Sequence, residues 1–362
     1  MILEDGTILE GCSFGAKTFA VGEVVFTTTM YGYPEALTDP SYKGQILVMT
    51  HPMVGNYGVP NPNIVDPKSG LPLHYESDGI KVEAFIIARL TRPNHWASVK
   101  DLDQWLKEEG VPGIYGIDTR MLVKKIREEG VKMGIVYNGE DLDNAIEILK
   151  KSPRYDEVDY VSKVKPAQPL EHGEGPEVVL LDCGVKYGIV RELVARGFKV
   201  IRVPCGMNAD KFLSEAKGVV LANGPGNPEV VMKRHKVDRF VTSALEYKLP
   251  ILAICLGHQI LNMTLGAEVY KMKYGHRGVN KPVKEAKGDK CYIVSENHGF
   301  AVDPGTINKE ILEPWFFNPD DGTLEGVRSD NPPILSTQFH PESSPGPNDT
   351  KWIFDQFAKV VT

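Results

Sequence analysis

Ala253-Ile254-Cys255-Leu256-Gly257-His258-Gln259 decides the fold of this chain and states its chemistry. The apolar run from Leu249 to Ile254 reads as a buried strand, and Ile260-Leu261-Asn262-Met263 reads as the first apolar turn of a helix. Cys255 then stands on a sharp strand-to-helix turn with Gly257 two residues on, where side-chain bulk would crowd the bend. Such a turn is a nucleophile elbow, here with cysteine in place of serine. A sulfur at this position lies at a helix N-terminus, whose dipole and unpaired N–H groups favour thiolate over thiol. A lone cysteine at a strand end is more often a packing residue. The glycine and His-Gln that follow this one point instead to a nucleophile.

Outward from the elbow the pattern alternates. Residues 178–181 read as a strand, 189–196 as a helix closed by Gly197, and 199–203 and 218–221 as strands. Residues 237–247 are expected as a helix and 251–254 as the elbow strand. Strand–helix repetition of this length implies an α/β fold with parallel strands covered by helices on both faces. Ligands of such sheets bind beyond the carboxyl ends of the strands, where Cys255 is expected. Upstream, residues 152–176 are polar, Pro/Gly-rich and without periodicity, and read as a linker between a domain at 1–151 and one at 177–362. The first half reads as a mixed β/α domain. Asp5-Gly6 between Ile2-Leu3-Glu4 and Ile8-Leu9-Glu10 is a type I′ hairpin signal. Strands are expected at 24–30 and 46–49 and helices at 101–109, 118–129 and 141–150, the last with an apolar stripe of Leu142, Ile146 and Leu149.

Bulk composition narrows the function classes. The 362 residues have room for about two domains. An apolar share of 42% and a charged share of 25% are those of an ordinary globular protein. The net charge of −7 gives no reason to expect nucleic acid or an anionic membrane as partner. No run approaches the roughly 18 apolar residues of a membrane span, and Met1 to Gly6 do not begin a signal peptide. The five cysteines are scattered, without a Cys-x-x-Cys pair, which argues against a disulfide framework or a zinc site and for a reducing cytoplasm.

A cysteine nucleophile needs a base, an orienting group and an oxyanion hole. His340, in Gln338-Phe339-His340-Pro341-Glu342, is the candidate base. Pro341 biases His340 towards extended geometry, and residues i and i+2 of an extended segment share a side. Glu342 can therefore reach one imidazole nitrogen while the other faces Cys255. His258, one turn into the elbow helix, reads as packing, and His276 in Tyr274-Gly275-His276-Arg277-Gly278 as a loop residue. Oxyanion donors are expected from the backbone of Leu256 and of the Asn223-Gly224-Pro225-Gly226 loop, where glycines let main chain approach a ligand closely. No Walker loop and no Gly-x-Gly-x-x-Gly after a strand is present.

Taken together, the Cys-Leu-Gly-His-Gln elbow, the Asn-Gly-Pro-Gly loop and the His-Pro-Glu segment resemble the class I glutamine amidotransferase family from about Glu177 onward. The resemblance implies a flavodoxin-like, mostly parallel sheet and a Cys255–His340–Glu342 triad. It also implies attack on the side-chain amide of L-glutamine through a glutamyl thioester. Gly32 to Tyr42, Thr50-His51-Pro52, Gly55 to Gly58, Gly116 to Arg120, Lys271 to Asn280 and Glu296 to Val302 are similar to the carbamoyl-phosphate synthase small-subunit family. That similarity implies glutamine contacts from Ser41, Gly224, Gly226, Leu256, Gln259, Asn297, Gly299 and Phe300, with His298 structural. It further implies a heterodimer with a large synthetase subunit that alone carries ATP and a divalent cation and receives ammonia from this chain, which itself holds no cofactor or metal. The first half is expected to dock that subunit. Rival readings are a glutaminase subunit for anthranilate or guanylate synthesis, a free-standing cysteine hydrolase, and a regulatory homologue.

Overall fold

The computed structural model describes residues 1–139, 141–208 and 210–361. Thr362, the end of the expected second domain, lies outside them. The chain divides into two compact units: 1–64 with 72–158, and 65–71 with 159–362.

Unit 1 holds strands β1 (Ile2–Leu3), β2 (Cys12–Gly15), β3 (Ala20–Thr27), β4 (Gln45–Met49), β5 (Val59–Pro60), β6 (Ala84–Ile87), β7 (Ser98–Lys100), β8 (Pro112–Tyr115) and β9 (Lys132–Val136). Its helices are α1 (Tyr33–Thr38), α2 (Leu102–Glu108), α3 (Thr119–Glu129) and α4 (Leu142–Lys151). Among the described residues one seven-stranded mixed sheet runs β1-β9-β3-β4-β6-β8-β2, with β5 and β7 as a separate ribbon. Asp101, Asp118 and Asp141 cap the N-termini of α2, α3 and α4 through their side chains, satisfying first-turn N–H groups. The expected N-terminal hairpin forms around Glu4-Asp5-Gly6: the Leu3 N–H donates to the Thr7 carbonyl and the Leu9 N–H to the Met1 carbonyl, both at 2.9 Å. Ile8 bridges antiparallel to Ile2, and β1 pairs with β9 as well. Gly6 alone of the two turn residues has positive φ, so the I′ geometry is not met. The stripe on α4 is also displaced: Leu142 is exposed, while Ala145 and Leu149 are buried.

Unit 2 contains β10 (Leu170–His172), β11 (Glu177–Asp182), β12 (Lys199–Pro204), β13 (Gly218–Leu221), β14 (Ile251–Ile254), β15 (Val269–Glu285), β16 (Cys291–Val302), β17 (Glu313–Phe317), β18 (Leu324–Asp330) and β19 (Pro333–Thr337). Its helices are α5 (Tyr187–Ala195), α6 (Asp210–Leu213), α7 (Pro228–His235), α8 (Val237–Glu246), α9 (Leu256–Thr264) and α10 (Trp352–Val361). The sheet order is β10-β12-β11-β13-β14-β19-β18-β17-β15-β16. Strands β12-β11-β13-β14-β19 are parallel throughout, giving the 2-1-3-4-5 order of flavodoxin-like sheets. Alternate residues of each strand feed two cores. Val179, Leu181 and Ala253 pack with α8 and α9, while Val178, Leu180 and Ile254 pack with α5 and α10. An antiparallel arm, β18-β17-β15-β16, extends the sheet beyond β19. Within 152–176, Leu170–His172 pairs antiparallel with β12, and Tyr155–Glu157 and Val161–Lys163 form 3₁₀ turns.

Candidate active site

The elbow is built as a strained turn. Cys255 follows β14 as the N-cap of α9 with φ 56° and ψ −106°, a conformation that costs a non-glycine residue on the order of 1–3 kcal/mol. Surrounding contacts hold it there. Its N–H donates to the Thr337 carbonyl of β19 at 2.8 Å, and four buried residues of β14 precede it. Gly257 has no alternative: a Cβ there would stand 2.1 Å from the carbonyl oxygen of Leu221 on β13. The thiol donates toward the Asn297 carbonyl at 3.7 Å. Leu256 occupies the first helical position, where backbone N–H groups have no intrahelical acceptor.

His340 lies three residues beyond β19 and bridges to Ser295 of β16, its N–H donating to the Ser295 carbonyl at 2.9 Å. Its Nδ1 is 2.6 Å from Glu342 Oε1, and its buried Nε2 has no hydrogen-bond partner among the described residues. Burial pushes the imidazole down, but the Glu342 carboxylate and the neighbouring Cys255 outweigh burial and Lys186, holding it raised at about 10. Glu342 is equally buried. Burial alone would raise its carboxyl, yet Lys186 and His340 bring it down to about 2.

Lys186 is the residue that sequence reading missed. It is itself buried, and its Nζ is 3.0 Å from Glu342 Oε1 and 2.5 Å from the Ser343 carbonyl. Its backbone N–H donates to Asn223 Oδ1 at 3.0 Å, so the β11–α5 loop is tied to the Asn-Gly-Pro-Gly loop. The β11–α5 loop is shaped in turn by Asp182, whose Oδ1 accepts the Gly184 and Val185 N–H groups while its Oδ2 pairs with Arg202 at 2.8 Å. A lysine in Asp182-Cys183-Gly184-Val185-Lys186 resembles an exposed loop cation. Only the apolar residues on both sides hinted at its burial.

The candidate ligand contacts fall as follows. Gly224 packs against Cys183, whose carbonyl would lie 2.5 Å from an added Cβ, and Gly226 has φ 92°. Gln259 uses its amide to donate to the Phe300 carbonyl at 2.8 Å and Gln338 Oε1 at 3.0 Å. Asn297, Gly299 and Phe300 lie on β16, beside Cys255 through the Asn297 carbonyl. Ser41 belongs to unit 1, in a short 3₁₀ turn (Pro40–Tyr42) where its N–H donates to Asp39 Oδ1. Among the rejected histidines, His258 is fully buried with Nδ1 2.7 Å from Ser336 Oγ. Burial, with the charge of His298, lowers it to about 3. His276 is no loop residue. It lies within β15, buried, paired across the ladder with His298. Bulges at 271–276 and 278–281 break the period-2 alternation that would have revealed the strand.

Residues 179–360, which carry the elbow cysteine and the buried His–Glu pair, match the class-I glutamine amidotransferase family. Residues 1–136 match the CPSase domain of the carbamoyl-phosphate synthase small chain. The carbamoyl phosphate synthase small chain of Saccharolobus solfataricus is 50% identical, covering 100% of this chain and 97% of its own length. That of Pyrococcus furiosus is 48% identical, with 100% and 97% covered, and that of Sulfurisphaera tokodaii 49%, with 100% and 96%. The chain belongs to the carbamoyl-phosphate synthase small-chain family. Among the described residues no helix is long and apolar enough to cross a membrane.

Proposed function

We propose that this chain is the glutamine-hydrolysing subunit of a carbamoyl-phosphate synthase, working through Cys255, His340 and Glu342. The Cys255 thiolate adds to the carboxamide carbon of L-glutamine, and the oxyanion that forms is met by backbone N–H groups at Leu256 and Gly224. The tetrahedral adduct collapses as His340 gives its proton to the leaving nitrogen, releasing ammonia and a glutamyl thioester. Water, deprotonated by His340, then attacks the thioester carbon. Glutamate leaves and the thiolate is restored, so the cycle consumes one water and returns every catalytic group to its starting state. Glu342, held ionised by Lys186, fixes the His340 tautomer and stabilises the imidazolium.

The observation that carries this reading is the strained Cys255 at the head of α9 together with a buried His340 whose Nε2 has no hydrogen-bond partner among the described residues. Gly226, Gln259, Asn297, Gly299, Phe300 and Ser41 are proposed glutamine contacts. Ammonia is proposed to pass to a large subunit that carries ATP, enclosed because protonation in water would remove its nucleophilic lone pair. The test is rapid acid quench with labelled glutamine. A labelled acyl-enzyme that maps to Cys255 supports the reading, and turnover without any such adduct overturns it. Large-subunit addition is expected to raise glutaminase rate by roughly a hundredfold, about 2.7 kcal/mol of transition-state stabilisation. Equal rates with and without it would favour a free-standing hydrolase.

A further inference from the structure

Four side chains of unit 2 outside the proposed triad converge without an evident purpose. They are His276 of β15, Glu296 and His298 of β16, and Glu325 of β18. One ligand-capable atom from each lies within 4.8 Å of all the others. The side chains of Glu296 and Glu325 are fully buried, and those of the two histidines nearly so. Both oxygens of both carboxylates, His276 Nδ1 and His298 Nε2 lack a hydrogen-bond partner among the described residues. Their separations are those of ion pairs, yet none of these atoms makes a hydrogen bond of regular geometry among the described residues. Burying two carboxylates in this way is costly unless a cation joins them.

We infer that His276, Glu296, His298 and Glu325 form a buried site for one divalent transition-metal ion, with zinc the best-fitting candidate. The separations among the four side chains carry this reading. His276 Nδ1 is 2.9 Å from Glu296 Oε2 and 3.6 Å from Glu325 Oε1, and His298 Nε2 is 3.7 Å and 3.9 Å from the same two oxygens. A tetrahedral zinc ion with bonds of about 2.1 Å requires donor–donor edges of about 3.4 Å, so small side-chain adjustments satisfy it. Two imidazoles and two carboxylates suit a borderline ion and neutralise a 2+ charge.

The outer shell agrees independently. A ligating histidine ordinarily commits its other ring nitrogen to a carboxylate or a backbone carbonyl. His276 turns Nε2 to Asp321 Oδ2 at 2.8 Å, and His298 turns Nδ1 to the Phe300 carbonyl at 2.9 Å. Each ring therefore presents the remaining nitrogen to the cluster. The ligands stand 20, 2 and 27 residues apart, a spacing that matches no compact motif, and none is a cysteine. For that reason the sequence reading of a metal-free chain missed them. A bound ion would clamp β15, β16 and β18 around Asn297, whose carbonyl faces Cys255.

The experiment uses the full-length chain, stripped with a chelator and then titrated with zinc or cobalt(II). Expected are one ion per chain by elemental analysis after gel filtration, a higher Tm, and a cobalt spectrum of tetrahedral N/O type without thiolate charge-transfer bands. Glu325→Gln should abolish stoichiometric binding while circular dichroism stays native. Asp321→Asn, at a half-exposed outer position, should weaken binding by about 10–100-fold and serves if Glu325→Gln does not fold. A folded wild-type chain that retains no ion would overturn the inference, leaving a proton-sharing acid–base cluster. Thiolate bands, or affinity unchanged in both variants, would overturn it equally by placing the ion on cysteines or elsewhere.

Discussion

Two buried charged constellations share unit 2, and they solve the same problem differently. At Lys186–Glu342–His340 the chain supplies its own cation, so the carboxylate is compensated, and His340 Nε2 has no hydrogen-bond partner among the described residues. At His276–Glu296–His298–Glu325 no lysine or arginine is paired with the carboxylates among the ion pairs described there, and donor atoms on all four side chains remain unsatisfied. The first cluster leaves two buried atoms, His340 Nε2 and Glu342 Oε2, without a hydrogen-bond partner among the described residues, whereas the second leaves six, enough to surround an ion.

The sharpest break of that comparison is at the nucleophile. Cys255→Ser should lower glutamine hydrolysis by at least about a thousandfold, and His340→Asn by a similar factor, because nucleophile and base act as a unit. Near-normal glutamate release from either variant would dissolve the triad. Stability should barely change in Cys255→Ser, as chemical denaturation would report.

Next in size is the cation. Lys186→Met leaves Glu342 buried with only His340 as partner, and breaking such a pair costs about 3–5 kcal/mol. The pH dependence gives the sign. Glu342 is depressed from 4.5 to about 2, so its stabilisation is present above pH 4.5 and is lost as pH falls through about 2. His340 is raised from 6.5 to about 10, so its stabilisation is present below pH 6.5 and is lost as pH rises through about 10. In Lys186→Met the acid limb should move to higher pH. Urea midpoints measured from pH 2 to pH 7 that coincide with wild type would show that Lys186 does not compensate Glu342.

A smaller effect tests the scaffold. Gly257→Ala forces a methyl against the Leu221 carbonyl, and overpacking of this kind costs about 1–3 kcal/mol. A Tm equal to wild type would mean that the elbow is looser than its geometry implies. The smallest effect distinguishes His258 from a base. Ser336→Ala removes the closer of the two partners of its Nδ1 and should cost about 1 kcal/mol while leaving glutaminase rate nearly unchanged. A large loss of rate would bring His258 back into the chemistry.

Legibility followed locality. The strand from 251 to 254, the turn at Cys255 and the i,i+2 relation of His340 and Glu342 are encoded within a few residues each, and reading them required only periodicity and turn geometry. The hairpin of the first residues was local too, but its turn type was misread, because Asp5 does not take the positive φ that type I′ requires. His276 was misread because two bulges hide its strand. Lys186 escaped because its partner lies 156 residues downstream, and no local rule distinguishes a buried lysine from a solvated one before that partner is known. The carbonyl contact that forbids a side chain at Gly257 was anticipated as crowding, although Leu221 as its source was not.

The position of β19 in the sheet has a consequence for how the molecule comes into being. It is the last described strand in chain order, yet it stands between β14 and β18. As the polypeptide emerges from the ribosome, the parallel strands and the antiparallel arm must therefore wait as separate halves until residues 333–337 are available to join them. His340 and Glu342 follow immediately behind that strand. Until then the turn at Cys255 lacks both the Thr337 carbonyl that holds it and its proposed base.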